Sequence, residues 1–362
     1  MTSSGRGTVF FGPFIGEFGW ELLFWQGWVR KVCKADFAGF RKIACSVPGR
    51  QPFYPYVDEF WPLPEEFLKL GVSAHGYFTD AWRAGYPGKH IERHTLRSLL
   101  EGIRRLRWPR RVWTEERLDL PDVEPHAEAM LASFRERLPD GTIFYVPWKW
   151  NRHEPDGLEF GMSFHPTDPP RKDAFRSQNI GFANQFTERL EPTLEGKRWV
   201  AENLRSSSRL IALFPRCRLI KRPDRNWSRE NYLALTEHLR RNHPEFSVAI
   251  FGEPAGVYFS DGVPDGCFDL IQVPPFSRMD IQLAALKQSV LAVGSTSGGI
   301  IFASYSGCPT IVWGDPMWIA RYREENVLKT PQLYYPKMQP TVDEIVSVIR
   351  HYLAEGSFPA CA

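Results

Sequence analysis

The sequence predicts an α/β protein of two Rossmann-like, doubly wound domains facing a central cleft. Three observations predict it. The second half alternates apolar strand segments with helical ones, which is the pattern of a parallel sheet covered on both faces. Gly294-Ser295-Thr296-Ser297-Gly298-Gly299 follows the apolar run Val290–Val293 and precedes Ile300–Tyr305, the order of strand, tight loop and helix start. A second glycine-rich turn, Gly12-Pro13-Phe14-Ile15-Gly16-Glu17-Phe18-Gly19-Trp20-Glu21, follows the short run Thr8–Phe11 at the head of the other half. A chain of 362 residues exceeds one ordinary core, so two domains are the natural division.

In chain order, the first half reads as a strand at 8–11, a helix at 20–34 and a strand over Arg41–Val47. A loop rich in proline and aromatic residues follows, from Pro48 to Pro64. Next come a basic helical segment near 91–107, a charged helix near 124–137 and a strand over Thr142–Pro147. No period of either kind runs through 148–184, which is full of Pro, Gly, Asn and His; an irregular stretch of that length suits a lid or an acceptor wall. A helical stretch near 182–204 leads to the polar Arg205-Ser206-Ser207-Ser208-Arg209, where the domain boundary is placed.

The second half is cleaner. Leu210–Phe214 is a buried strand, and Ser228 caps a helix carrying Tyr232, Leu235 and Leu239 on one face. Phe246–Phe251 is the next strand, and Ser277-Arg278-Met279-Asp280 fits a capping box ahead of a helix bearing Leu283 and Leu286. Strands at 290–293 and 309–313 flank the glycine loop and its helix, and a last helix runs from Thr341 to Leu353 with Ile345, Val348 and Ile349 at helical spacing. The domains are therefore 1–204, 205–340 and a C-terminal helix and tail over 341–362.

Composition narrows the classes. A hydrophobic share of 43% and a charged share of 24% are those of a globular protein. The net charge of +3 is too small for wholesale nucleic-acid binding. Thirteen Trp exceed ordinary usage, which suits ring stacking on sugars or bases as well as core packing. The six cysteines, at 33, 45, 217, 267, 308 and 361, lack CxxC spacing, so no zinc site or disulfide framework is indicated and a reducing cytoplasm fits. No apolar run is long enough to span a membrane, and Glu17 and Glu21 interrupt the N-terminal one.

The chemistry concentrates in the loops that follow strands, where open α/β sheets bind their ligands. A helix start of small residues presents free backbone N–H groups to an anion, so Ser295, Thr296, Ser297, Gly298 and Gly299 would form a phosphate site, or else simply turn the chain, as Gly and Ser do in many α/β proteins. Phe214–Trp227 places five cations after the neighbouring strand; Arg216, Arg218, Lys221 and Arg225 would complete a diphosphate clamp that needs no metal. Glu253, at another strand end, could accept ribose hydroxyls or simply shape a turn. There is no Asp-x-Asp, no HExxH and no His cluster at ligand spacing, and no cofactor is indicated. The N-terminal turn has Gly-x3-Gly-x2-Gly spacing, which is not the dinucleotide fingerprint, so it reads as a substrate-facing turn. Glu17 at its tip is the candidate general base and Glu21 the second choice, although a carboxylate in a first helical turn is also favoured by the helix dipole alone. Gly16, Phe18, Gly19 and Trp20 would line the acceptor side, with His153 and His165 from the long irregular loop. Arg104–Arg111 is the one intense basic cluster, either a solvated helix end or a grip on an anionic acceptor, nucleic acid included.

These residues resemble the GT-B glycosyltransferases, most closely the ADP-heptose:lipopolysaccharide heptosyltransferase group. Asp224-Arg225-Asn226-Trp227 is similar to that group's basic loop, Gly294–Gly299 to its glycine loop, Gly307-Cys308-Pro309-Thr310 to the Gly-x-Pro-Thr behind it, and Gly16-Glu17 to its Gly-Asp turn. The likeness covers roughly 205–320 and 12–21, not 50–195. Thr296 stands where the group has an acid, and Gly299-Ile300 replaces its Pro and the polar residues after it, which leaves sugar and nucleotide open. The resemblance implies a metal-independent, inverting transfer from a nucleotide-diphosphate sugar to a glycan or other hydroxyl acceptor, with the donor on 205–340, the acceptor on 1–204 and Glu17 as base. A DNA-base (hydroxymethylpyrimidine) glycosyltransferase, a polysaccharide pyruvyltransferase and a non-catalytic nucleotide-sugar-binding module remain as alternatives.

Overall fold

The computed structural model describes residues 7–16, 18–70, 88–93, 113–118, 124–147, 185–204, 209–218 and 223–359. In the N-terminal half, β1 (Thr8–Phe11), β2 (Arg41–Ser46), β3 (Glu59–Pro62) and β6 (Ile143–Tyr145) form a parallel sheet in the order β3-β2-β1-β6. Between β1 and β2 the chain forms a helical turn at Phe18–Trp20 and a π-helical turn at Glu21–Trp25, then enters helix α1 (Gln26–Ala35). Leu22, Leu23, Trp25, Trp28, Val29 and Val32 are buried along it. A short α2 (Glu65–Leu68) follows β3.

The basic helix expected over 91–107 is corrected where it is described. Its start belongs to β4 (Gly88–Arg93), which pairs antiparallel with β5 (Trp113–Leu118). Strand pairing with a partner distant in sequence decides this, and local helical periodicity carries no record of it. Helix α3 (Glu124–Arg137) buries Ala127, Met130, Leu131 and Phe134, one stripe at helical spacing.

The expected helix over 182–204 begins only at α4 (Leu194–Asn203), with Thr193 as its cap; residues 186–193 carry no helix. Pro192 disfavours helical geometry in the residue before it. This segment laces the two halves together. Phe186 N–H donates to Gly27 O (3.0 Å) on α1, and Leu190 N–H donates to Tyr305 O (2.9 Å) in the second half. Between them Glu188 accepts from Tyr56 Oη (2.5 Å) and pairs with Arg30 (3.5 Å) and Lys34 (3.7 Å).

The second sheet contains β7 (Arg209–Phe214), β8 (Phe246–Ile250), β9 (Phe268–Asp269), β10 (Ser289–Ser295), β11 (Thr310–Trp313) and β12 (Gln332–Tyr335). All are parallel, in the order β12-β11-β10-β7-β8-β9. The order reverses between β7 and β10, the doubly wound topology with its switch point there. The connecting helices are α5 (Arg229–Asn242), α6 (Arg278–Gln288), α7 (Gly298–Ser306), α8 (Pro316–Glu325) and α9 (Val342–Glu355). Ser228 caps α5, and Thr341 with Glu344 forms a capping box on α9.

The capping box expected at Ser277–Asp280 does not form. Ser277 makes no side-chain cap, and Asp280 turns inward to accept from Thr193 N–H (2.8 Å), Gly196 N–H (3.1 Å) and the Thr193 hydroxyl. Asp280 is buried, and these donors offer its carboxylate more than its own helix would. Asp280→Ala is expected to lower stability by about 1–3 kcal/mol, because it leaves the Thr193 N–H without its acceptor and removes the carboxylate that the Thr193 hydroxyl and Gly196 N–H share. A fall in the urea midpoint without a change in slope would show it, and an unchanged midpoint would refute it.

Side chains alternate along β7. Ile211 and Leu213 enter one core with Trp227, Tyr232, Leu235, Ile345 and Ile349. Leu210, Ala212 and Phe214 enter another, which continues across the seam to Val9, Phe11, Trp25 and Phe53 of the first half. Burial on both faces explains why the strand reads as unbroken apolar sequence. At the seam Phe18 lies 5.8 Å from both Phe53 and Phe302 of α7.

Candidate active site

The basic loop begins where β7 ends. Arg216 forms an isolated bridge with Val257, Cys217 N–H donates to Gly256 O (2.9 Å), and Tyr258 N–H donates to Pro215 O (2.8 Å), so the loops after β7 and β8 are zipped together. Asn226 folds the loop back on itself. Its Oδ1 accepts from the Arg216 guanidinium and from Arg218 N–H (3.0 Å), and its Nδ2 donates to Arg218 O (2.8 Å). Trp227 anchors the far end, fully buried, with Nε1 donating to Pro340 O (2.8 Å) and its ring 4.9 Å from both Tyr232 and Trp313. Asn226 and Trp227 are absent from the sequence-derived site residues, although they close the same motif.

Arg216 is only 6% exposed. Burial first, then the neighbouring Arg218 and Arg225, pull its guanidinium down to about 10, still charged at neutral pH. Arg218 and Arg225 are half-buried beside it. Lys221 lies outside the described residues. Glu253 follows β8, half-buried, at the start of the short turn Pro254–Gly256.

The glycine loop leaves β10, whose Gly294 is in register with Phe214 of β7. The basic loop and the glycine loop therefore leave neighbouring strands at the same edge, as the sequence predicts. Ser297 caps α7, its hydroxyl accepting from Ile300 N–H (3.5 Å). The first-turn amides of Gly298 and Gly299 have no partner within the helix. A Cβ on Gly299 would stand 2.5 Å from Cδ1 of Phe214, so only glycine lets this helix start so close to β7. Thr296 is buried, its N–H donating to Trp313 O (2.9 Å) and its hydroxyl without a partner. Ser295 is buried towards Tyr232, on the face of the sheet away from Phe214. An anion at this turn would meet the positive end of α7 and the cations of the basic loop.

The N-terminal turn stands opposite. Gly12 has φ +128°, a conformation side chains disfavour, and a Cβ there would stand 2.5 Å from Cys45 O. Gly12 N–H donates to Tyr145 O (2.8 Å) and Phe14 N–H to Cys45 O (2.8 Å), extending the sheet into the loop. Cδ1 of Phe18 lies 3.0 Å from where a Cβ on Gly298 would be, and Gly19 N lies 3.9 Å from it. The two glycine-rich loops, nearly three hundred residues apart in the chain, thus touch. Gly16 is buried, and Trp20 is half-buried and stacked on Phe24 at 5.2 Å. Glu17, His153, His165 and Arg104–Arg111 lie outside the described residues.

Glu21 is corrected as a candidate base. It is 0% exposed and accepts from Ser46 Oγ (2.5 Å), the Arg50 guanidinium and the Tyr54 hydroxyl. A base must reach the proton it removes, and this carboxylate faces none but those of its own partners. Burial, and then Glu21 itself, push the Tyr54 hydroxyl well up, so it remains a donor. Arg50 was missed by the sequence reading; its only signal is a lone cation in the proline- and aromatic-rich loop after a strand. Among the described residues, no group of three or more His, Cys, Asp or Glu could hold a metal ion, and no helix is long and apolar enough to cross a membrane.

No protein-family model and no curated protein matches the chain. Solved structures do. A glycosyl transferase family 9 protein from Veillonella parvula is 10% identical with a TM-score of 0.52, over 97% of this chain and 98% of its own. The ADP-heptose lipopolysaccharide heptosyltransferase II of E. coli is 13% identical with a TM-score of 0.53, over 97% of this chain and 99% of its own. At such identities the likeness is one of fold, and the fold is GT-B.

Proposed function

On this GT-B fold, we propose that the protein is a glycosyltransferase that moves a sugar from a nucleotide-diphosphate donor to an acceptor hydroxyl, without a metal and with inversion. The observation that carries the reading is the meeting of three loops at one seam. The basic loop and the glycine loop leave adjacent strands β7 and β10, and the N-terminal turn that bears Glu17 packs on the first residue of α7. Arg216, Arg218, Lys221 and Arg225 with the Gly298 and Gly299 amides take the diphosphate as charge builds on it, and fixed donors do this without reorganising. Glu253 takes the ribose hydroxyls. Glu17 removes the acceptor proton as that oxygen attacks the anomeric carbon, the carbon–oxygen bond to the diphosphate breaks, and the nucleoside diphosphate leaves. Gly16, Phe18, Gly19 and Trp20, with His153 and His165, form the acceptor wall.

The test is a thermal-shift panel with UDP, ADP, GDP, CDP, their sugar conjugates and phosphoenolpyruvate. One nucleoside diphosphate should stabilise the protein, by about 2.7 kcal/mol at a hundredfold excess over its Kd. Stabilisation by phosphoenolpyruvate alone would replace the reading with pyruvyl transfer. Salt-sensitive duplex binding would favour a DNA-base acceptor, and donor binding with neither hydrolysis nor transfer would leave a binding module. With a donor in hand, Glu17→Gln is expected to cut turnover about 10²–10⁴-fold while donor affinity stays. Near-normal turnover in that variant would remove Glu17 as the base.

A further inference from the structure

Glu21 and Arg50 form a buried ion pair at the end of β2, on the side that meets the other half of the molecule. Arg50 is 4% exposed. One nitrogen reaches Glu21, its Nε is buried without a partner, and its guanidinium lies over the Phe18 ring, 5.2 Å from the centroid. Phe18 meets α7 at two points: its ring fills the space a Cβ on Gly298 would take, 3.0 Å away, and its centroid lies 5.8 Å from that of Phe302. An apolar pair of the same volume would commonly serve stability as well as such an ion pair, so stability alone is a poor account of it. What the pair adds is a fixed planar cation on the aromatic ring through which the N-terminal turn reaches the glycine loop.

We propose that Arg50 is a positioning residue for sugar transfer. Fixed by Glu21, it holds Phe18 against the first turn of α7 and sets the spacing between the N-terminal turn and the amides that receive the donor diphosphate. This rests on the donor reading of that turn. The contacts run without a gap from Glu21 through Arg50 and Phe18 to Gly298, and each depends on orientation: a charge-assisted bond, a cation over a ring face, and a ring against a residue with no side chain. Lysine at position 50 keeps the charge but loses the flat face that lies over Phe18.

Hydrogen exchange on the full chain tests this, comparing wild type with Arg50→Met, Arg50→Lys and the double variant Glu21→Gln with Arg50→Met. The amides of Ile300, Ile301 and Phe302, in the opposite domain, are expected to exchange about tenfold faster or more in Arg50→Met and in the double variant, with β7 amides unchanged and Arg50→Lys between. No change at α7, or an equal change in β7, would make the pair merely structural and overturn the proposal. The double variant leaves no unpaired buried charge, so it keeps the comparison available if Arg50→Met does not fold. Calorimetry with UDP, ADP, GDP and CDP runs in parallel, and the best-bound nucleotide should weaken about tenfold in Arg50→Met. If none binds the wild type, the donor reading fails, while the exchange data still decide whether Arg50 holds α7.

Discussion

Arg216→Gln is expected to lower transfer by about 10²-fold or more, with most of the loss in kcat. The side chain is buried, crowded by Arg218 and Arg225, and still charged at neutral pH. A cation held in a partly desolvated place costs stability until an anion arrives, so its contribution grows as negative charge gathers on the leaving diphosphate. Glutamine keeps a donor for Asn226 and so preserves the loop while removing the charge. Arg216→Lys should fall between, since it retains charge without the planar fork. Steady-state kinetics with the donor found by the thermal panel decide the matter: a rise in KM with unchanged kcat would mean that Arg216 holds the donor equally in ground and transition states.

Glu21→Ala is expected to destabilise the protein by about 3–5 kcal/mol, because it leaves the Arg50 guanidinium buried without its carboxylate. Ser46 and Tyr54 lose their acceptor in the same step. Glu21→Gln should cost much less, since it can still accept from one or two of these donors. The contrast separates an anchor from a base. An anchor gives a graded loss in the urea midpoint from Gln to Ala; a base would lose turnover in Gln with little loss of stability. Equal midpoints for wild type and Glu21→Ala would refute the anchor.

The central strands of the second half are legible because they are buried on both faces and bounded by turn residues. Leu210–Phe214 and Phe246–Phe251 read as strands for that reason, and Ser228 and Thr341 announce their helices through hydrogen bonds to residues three positions on. Ser277 carries the same local pattern and fails, because Asp280 finds better donors in Thr193 and Gly196, more than eighty residues back. Two edge strands escape such a reading: β3 lies inside the proline- and aromatic-rich stretch that reads as loop, and β9 has only two residues. At the candidate site the two glycine-rich loops could be singled out because tight turns have a residue-level signature. Their contact could not, since it depends on how two sheets dock. Glu21 illustrates the limit, as its position in a first helical turn does not tell a surface carboxylate from one sunk between Ser46, Arg50 and Tyr54.

Helix α7 begins at the proposed diphosphate site against Phe18 and ends where Tyr305 accepts from Leu190 in the connecting segment. One helix therefore joins the proposed diphosphate site to the N-terminal turn and to the chain between the halves. If a donor displaced α7 and so altered the affinity for an acceptor, linkage requires that the acceptor alter donor affinity by the same factor. Ordered addition of two substrates would then need no dedicated lid: the first to bind would prepay part of the arrangement that the second requires.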